Sequence, residues 1–272
     1  MKYKDVFPKA YLTIGTVLIL LPIFWTFTTS FKTPPEIMKV PPTILPQSFA
    51  NLSNYSEVFK ELRFARLLLN TFFMCAVVVA FSLQFASLAG YGFAKFNFKG
   101  KEFFFYGIVV ILMIPFQSVA VPLFHWMNKL NMIDTFAGLV LPLLISAFGV
   151  LLMREAFSTI PDDYIDAARI DGCSELRIYW SVALPMVRPS LAALAIIKFM
   201  WTWNEFFWPL LVITTPSKGV VTLGLASLSN MYFRKYWLIT AAAVISILPL
   251  FIMFVFLRKW MVAALTEAGL KG

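Results

Sequence analysis

Few side chains in this sequence can carry out covalent chemistry. His125 is the only histidine, so neither a histidine-based nucleophile relay nor a histidine-rich metal site can be assembled. A phosphate-binding G-x-x-x-x-G-K-[ST] loop is missing too, because Gly100 and Lys101 run into Glu102 and no glycine stands five residues before Gly100. The chain is therefore expected to hydrolyse no ATP alone and to hold no cofactor or metal. Polar chemistry is concentrated in Lys198, Trp201, Thr202, Trp203, Asn204 and Glu205, inside an otherwise apolar run. Charge in such a segment is expensive, so Lys198 and Glu205 are expected to face a bundle interior or a wet cavity. Seven residues put them on nearly one helix face but about 10 Å apart along the axis. Water or a neighbouring helix then links them better than a direct ion pair. Trp203 and Asn204 suit the path of a sugar, since aromatic faces pack on the C–H surface of a pyranose while amides and carboxylates meet its hydroxyls. The same residue types also hold membrane helices together, and that reading stands beside the first. Gln117, followed by Ser118 and close to Pro115, is a weaker candidate for the same path.

A second cluster lies between Pro161 and Pro189, a polar, helix-forming insert of about thirty residues between two apolar runs long enough to cross a bilayer. Two spans can be joined by a handful of residues, so an insert with its own helix signals implies a docked partner. Thr159 and Asp162 have capping-box spacing, Pro161 fits a first turn, and Asp162 with Asp163 complements the positive helix end. A helix is expected to about Ile170, with Ala167 and Ala168 as a low-relief patch and Gly172 ending it in the left-handed conformation. Ser174 can cap a second short helix, after which Leu184 and Pro185 lead back to the apolar phase. Cys173 reads as a small filler.

The elements that must position these groups follow from composition. With 60% hydrophobic, 17% aromatic and 14% charged residues over 272, the chain has too little polar surface to cover a soluble globule. Its net charge of +9 comes from basic residues set singly in short loops, which suits anionic lipid and argues against nucleic acid. Apolar runs at about 11–31, 67–89, 103–124, 136–153, 191–213 and 238–257 predict an all-α membrane protein with six transmembrane helices in a single domain covering 1–272. The first run is long and lacks a small-residue cleavage site, so it reads as a retained span. Pro22, Pro115, Pro142, Pro209 and Pro249 should kink five of the six. Thirteen Lys and Arg fall on the side of the termini against nine on the other, which places both termini and the insert (about 154–188) in the cytoplasm. Outside, the prolines at 34, 35, 41, 42 and 46 predict a non-helical path. Asn54 and Glu57 then read as a cap for an amphipathic surface helix carrying Leu52, Tyr55, Phe59 and Leu62. The stretch Thr214–Tyr236 reads as an external loop. Cys75 and Cys173 fall in different environments and are expected to be free thiols.

The spacing in the insert also supports a resemblance. Asp166, Ala167 and Ala168, three residues, Gly172, nine residues, then Val182, Ala183, Leu184 and Pro185 follow the E-A-A, G, I-x-L-P pattern of binding-protein-dependent ABC importer permeases, with Asp for Glu and Val for Ile. The stretch from Leu184 to Leu211 and the ending from Leu265 to Gly272 resemble the MalG-like subunits of the carbohydrate branch, so the resemblance covers essentially the whole chain. It implies a type I ABC importer permease fold in the cytoplasmic (inner) membrane of a bacterium or archaeon, with the loop acting as a cytoplasmic coupling helix. Asp166, Ala167, Ala168, Gly172, Leu184 and Pro185 would then meet a separate ATPase, as would the tail residues Gly269, Lys271 and Gly272. It further implies a second, MalF-like permease, two ATPase subunits holding ATP and Mg, an extracytoplasmic sugar-binding protein touching Pro216 to Gly219, and a sugar or oligosaccharide as cargo. A polyol or glycerol phosphate is the alternative cargo. An ion-coupled secondary transporter would need inverted repeats, which the sequence does not show.

Overall fold

The computed structural model describes residues 6–229 and 235–269, with side chains described for 8–229 and 235–256. In chain order the helices are α1 (Val6–Thr29), α2 (Pro34–Ile37), α3 (Ser53–Glu61), α4 (Phe64–Lys95), α5 (Lys101–Met113), α6 (Phe116–Lys129), α7 (Phe136–Val140), α8 (Ala147–Ser158), α9 (Asp162–Ile170), α10 (Glu175–Ile178), α11 (Leu184–Met186), α12 (Arg188–Trp203), α13 (Phe207–Val212), α14 (Val221–Ser229) and α15 (Tyr236–Gly269). No strand occurs among the described residues. Two compact units emerge, residues 1–68 with 220–250, and 69–219 with 251–272, the division falling within α4 and α15.

By length and apolarity, α1, α4 and α15 can each cross a membrane, and three bent helix pairs raise the total to six if each pair is one span. The bends have local causes. Pro115 has no N–H to continue the ladder and pushes Ile114 into an extended conformation, so the expected third span is two helices, α5 and α6, bent by 101°. Pro142 starts a single tight turn between α7 and α8, which are bent by 43°. The third bent pair joins Glu175–Met186 to α12 at 81°, and the expected fifth span is divided further on, where α12 ends at Trp203 and α13 begins at Phe207. By contrast Pro22 and Pro249 sit inside α1 and α15 without ending either helix.

In the first unit, Val58, Phe64, Leu67, Val221, Leu228, Leu238, Ala241 and Ala242 form the core. Three sequence expectations change here. Pro34 and Pro35 open a short helix, where a missing N–H costs nothing, and Glu36 accepts from the Thr33 amide and hydroxyl at 2.7 and 2.8 Å and from the Gln47 amide at 2.6 Å. Asn54 does not cap α3; it lies inside it, buried, and its amide donates to the carbonyls of Ser30 and Lys32. The Thr214–Tyr236 stretch likewise holds helix α14, with 230–234 outside the described residues.

The second unit buries Tyr91, Met153, Phe157, Ile160, Ile165, Ile178, Tyr179 and Leu194 in one cluster, which ties α4, α8, α9, α10 and α12 together. Backbones approach closely between α4 and α8. A Cβ on Gly90 would stand 2.7 Å from the Arg154 nitrogen, and one on Gly149 would stand 2.9 Å from the Ala86 Cβ.

Candidate functional site

The connector between α8 and α12 is built largely as its spacing requires. Helix α9 ends at Ile170, and Gly172 adopts φ +79°. The amides of Asp171, Gly172 and Cys173 return to the carbonyls of Ala167, Arg169 and Ala168, closing the turn. Two cap assignments are corrected. Pro161, not Thr159, occupies the position before α9, and the Thr159 hydroxyl donates back to the Ala156 carbonyl at 2.8 Å. Ser174 holds the cap position of α10 without a side-chain bond. The pair Ala167 and Ala168 divides: Ala168 turns inward and only Ala167 faces out. Leu184 and Pro185 follow a wide π turn at Tyr179–Ala183 and are half-buried. Cys173 packs against the core as a free thiol, and Cys75 is buried and free.

Charge holds the outer face of this connector in place. Arg169 bonds to Asp166 at 2.9 Å and to Glu175 at 2.7 Å, spanning the turn, and both carboxylates raise its already high affinity for the proton. Lys95, its side chain almost completely buried at the end of α4, donates to the Ile160 carbonyl at 2.5 Å and to Asp162 at 2.6 Å. That hydrogen bond and charge hold the Asp162 carboxyl below the usual carboxylate range. Around these ion pairs Tyr164, Ile170, Leu176 and Trp180 are exposed, Ile170 at 86%.

A cavity of about 320 Å³ lies elsewhere in the same unit, lined by Phe116, Gln117, Pro142, Leu143, Ile145, Lys198, Trp201, Thr202 and Glu205. Three candidates from the sequence, Gln117, Lys198 and Glu205, meet there. Lys198 is 8% exposed and Thr202 3%. Trp203 and Asn204 do not line this cavity. Trp203 is buried against Phe199, stacked at 5.6 Å, and against the edge of Phe72 at 4.9 Å. Asn204 ends α12 and donates its amide to the Met200 carbonyl at 2.8 Å. Trp201, part of the polar cluster in the sequence but not assigned there to the sugar path, takes the aromatic place, its ring edge-on to Phe148 at 5.3 Å. The signal was present: 198, 201, 202 and 205 recur at helical steps, whereas 203 and 204 point roughly 140° and 120° away from 198 at about 100° per residue. Glu205 lies just beyond α12, and its carboxylate accepts from the Trp208 amide in the first turn of α13, where a helix favours negative charge.

A third cluster fixes residues 214–219. Asp134 accepts from the Thr214 and Thr215 amides at 3.1 and 2.9 Å, the Thr215 hydroxyl at 2.6 Å and Lys218 Nζ at 2.9 Å. These bonds hold its carboxyl well below the usual range. Asn70 donates to the carbonyls of Ser217 and Gly219 at 3.1 and 2.8 Å. Pro216, within the segment singled out from sequence, is left exposed on this frame. Of the tail residues, Gly269 ends α15, while Lys271 and Gly272 lie outside the described residues.

Residues 82–266 match the family described as the binding-protein-dependent transport system inner membrane component. The chain belongs to that family. It is 36% identical to the arabinooligosaccharides transport system permease protein AraQ of Halalkalibacterium halodurans, over 96% of each chain. It is 30% identical to the sn-glycerol-3-phosphate transport system permease protein UgpE of Yersinia enterocolitica, over 97% of this chain and 96% of that one. In fold it matches a chain of a bacterial ABC transporter involved in the import of the acidic polysaccharide alginate, with TM-score 0.83 at 24% identity, covering 94% of this chain and 95% of that chain. The fold expectation of an all-helical ABC permease thus holds, as does the resemblance that led to it. The family is a permease family of multi-pass membrane proteins.

Proposed function

We propose that this chain is one permease subunit of an ATP-driven importer of a sugar or oligosaccharide. It pairs with a second, MalF-like permease, two ATPase subunits that hold ATP and Mg, and an extracytoplasmic sugar-binding protein, in the cytoplasmic membrane with both termini inside. The observation that carries this reading is the connector: an α9–turn–α10 platform tied by the Arg169 and Lys95 ion pairs, with Tyr164, Ile170, Leu176 and Trp180 facing out. Asp166, Ala167, Gly172 and the exposed side chains beside them form the seat for the ATPase, with Ala168, Leu184 and Pro185 supporting it from beneath. The tail residues Gly269, Lys271 and Gly272 contribute a second contact.

Cargo class is supported by the arabinooligosaccharide permease relative and by the face of α12. Trp201 offers a ring, Thr202, Glu205 and Gln117 offer hydroxyl partners, and Lys198 a donor, in a cavity of about 320 Å³ that takes about one or two sugar rings at a time. The buried cation of Lys198 and the glycerol phosphate relative favour one competing cargo, a phosphorylated polyol. The test is to co-purify the chain with the permease, ATPase and binding protein encoded beside it, and to measure ATP-driven uptake in proteoliposomes. Uptake of a neutral oligosaccharide bound by that binding protein is expected. Preference for a phosphorylated polyol would replace the cargo, and uptake driven by an ion gradient without an ATPase would overturn the assignment.

A further inference from the structure

One face of α4 reaches the connector at three successive helical turns. Ser87, Tyr91 and Lys95 are spaced four residues apart, which stacks them along one stripe. Ser87 Oγ and the Tyr179 hydroxyl are hydrogen-bonded at 2.6 Å in a buried site, so the first turn holds the π turn beyond α10. The Tyr91 ring lies 5.3 Å from that of Phe157 and 5.4 Å from that of Tyr179, which holds the end of α8. Lys95 reaches the start of α9 through the Ile160 carbonyl and Asp162. Its side chain is 5% exposed while that of Asp162 is 79% exposed, so the ammonium is committed to this joint and Asp162 is the solvent-facing member. Further along, Gly90 and Ala86 let α4 press against Met153, Arg154 and Gly149 of α8 with no room for a larger residue. A 32-residue helix extends about 48 Å, well beyond the roughly 30 Å hydrocarbon core. That excess lets the end of α4 stand clear of the bilayer beside α9.

We infer that Lys95 is a positioning residue that pins the start of α9 to α4, so that displacement of the connector enters the membrane through α4 as well as through the directly joined α8 and α12. The inference rests on the proposed seat for an ATPase at α9. An ammonium bonded to a backbone carbonyl fixes the position of the chain itself, whatever side chains surround it. Asp162 adds direction but contributes less, because exposed ion pairs are weak. Loss of Lys95 removes the polar tie between the start of α9 and α4, leaving apolar packing there and the Ser87–Tyr179 bond further along, so α9 can move while carrying α4 less.

The experiment uses the full importer in proteoliposomes, with a cross-linkable Ala167→Cys in a Cys173→Ser background to report seating on the ATPase. In Lys95→Met the cross-link and ATP hydrolysis are expected to persist within about twofold, while solute moved per ATP falls about tenfold, a coupling loss in the usual range. Lys95→Arg, which keeps charge and donors, should recover most of the ratio, and Asp162→Asn should lower it by about threefold or less. If Lys95→Met does not assemble, the same ratio is read in Lys95→Gln, with the same expectation. A wild-type ratio in the neutral variant, with the cross-link intact, overturns the role of Lys95 alone. No cross-link in the otherwise unaltered complex overturns the ATPase seat, and this inference with it.

Discussion

The connector and the cavity wall invert what their surroundings call for. A polar segment between membrane helices exposes Tyr164, Ile170, Leu176 and Trp180, while the apolar helix α12 buries Lys198 and turns Thr202 and Trp201 to a cavity. An exposed isoleucine forgoes about 2 kcal/mol of burial, and a lysine within a membrane helix costs about 3 kcal/mol or more. Under the proposed function each is relieved by something docking there: a protein surface on the connector, a hydrated solute in the cavity. Chemical mismatch with the surroundings thus marks both sites, in opposite directions.

The largest test of that contrast is Gly172. At φ +79° a Cβ meets nothing within 4 Å, so a side chain there strains the backbone without crowding the chain itself. Gly172→Val should leave the permease in the membrane but reduce coupled uptake by at least about tenfold, because a β-branched residue rarely adopts that conformation and the turn shifts under the partner. Normal uptake in the variant would break the connector half of the comparison. Lys198→Met probes the other half. Replacing a buried charge by an apolar chain of similar length should hold or raise thermal stability, while uptake falls about tenfold; unchanged uptake would make Lys198 a packing feature. Smaller again, Ile170→Ser and Leu176→Ser should each weaken ATPase retention about fivefold on co-purification, with no change in melting, as expected for apolar contacts at an interface.

Asp134 supplies the mildest test. Its carboxyl is held below the ordinary range, so its contribution is complete above the unfolded value near pH 4 and is lost only as pH falls further, through the folded value. Amide exchange over residues 214–219 should therefore keep the same protection pattern between pH 7 and pH 5, after correction for intrinsic rates. Asp134→Asn should raise exchange there at both pH values without altering the connector. A rise confined to the lower pH would show that the carboxylate is not the clasp.

What could be read from the residues divides along physical lines. The α9 turn was legible because each feature, a first-turn acid pair, a terminal glycine and a fixed spacing, depends on neighbours within a few positions. The cap at Thr159 was misplaced by the same local rules, since its hydroxyl found the Ala156 carbonyl behind it instead of the amides ahead. Helix faces were harder. Trp203 and Asn204 drew attention by residue type, but only the angular position of 198, 201, 202 and 205 separates cavity from core, and Asn204 and Glu205 were read as polar groups within a continuous span and not as the break after Trp203. The 101° bend at Pro115 was signalled by the proline, yet Pro22 and Pro249 give the same signal inside helices that continue. Lys95 and Asp134 were invisible as joints because their partners lie 65 or more positions away in sequence.

The narrow fit of α4 on α8 has a consequence for sequence variation. Position 90 should reject even alanine, since the atom it would add falls 2.7 Å from main chain that has no room to retreat, whereas position 92, two residues along the same helix, has open space around it. Saturation mutagenesis would find an abrupt boundary between these two glycines: one admits no other amino acid, and its neighbour tolerates many.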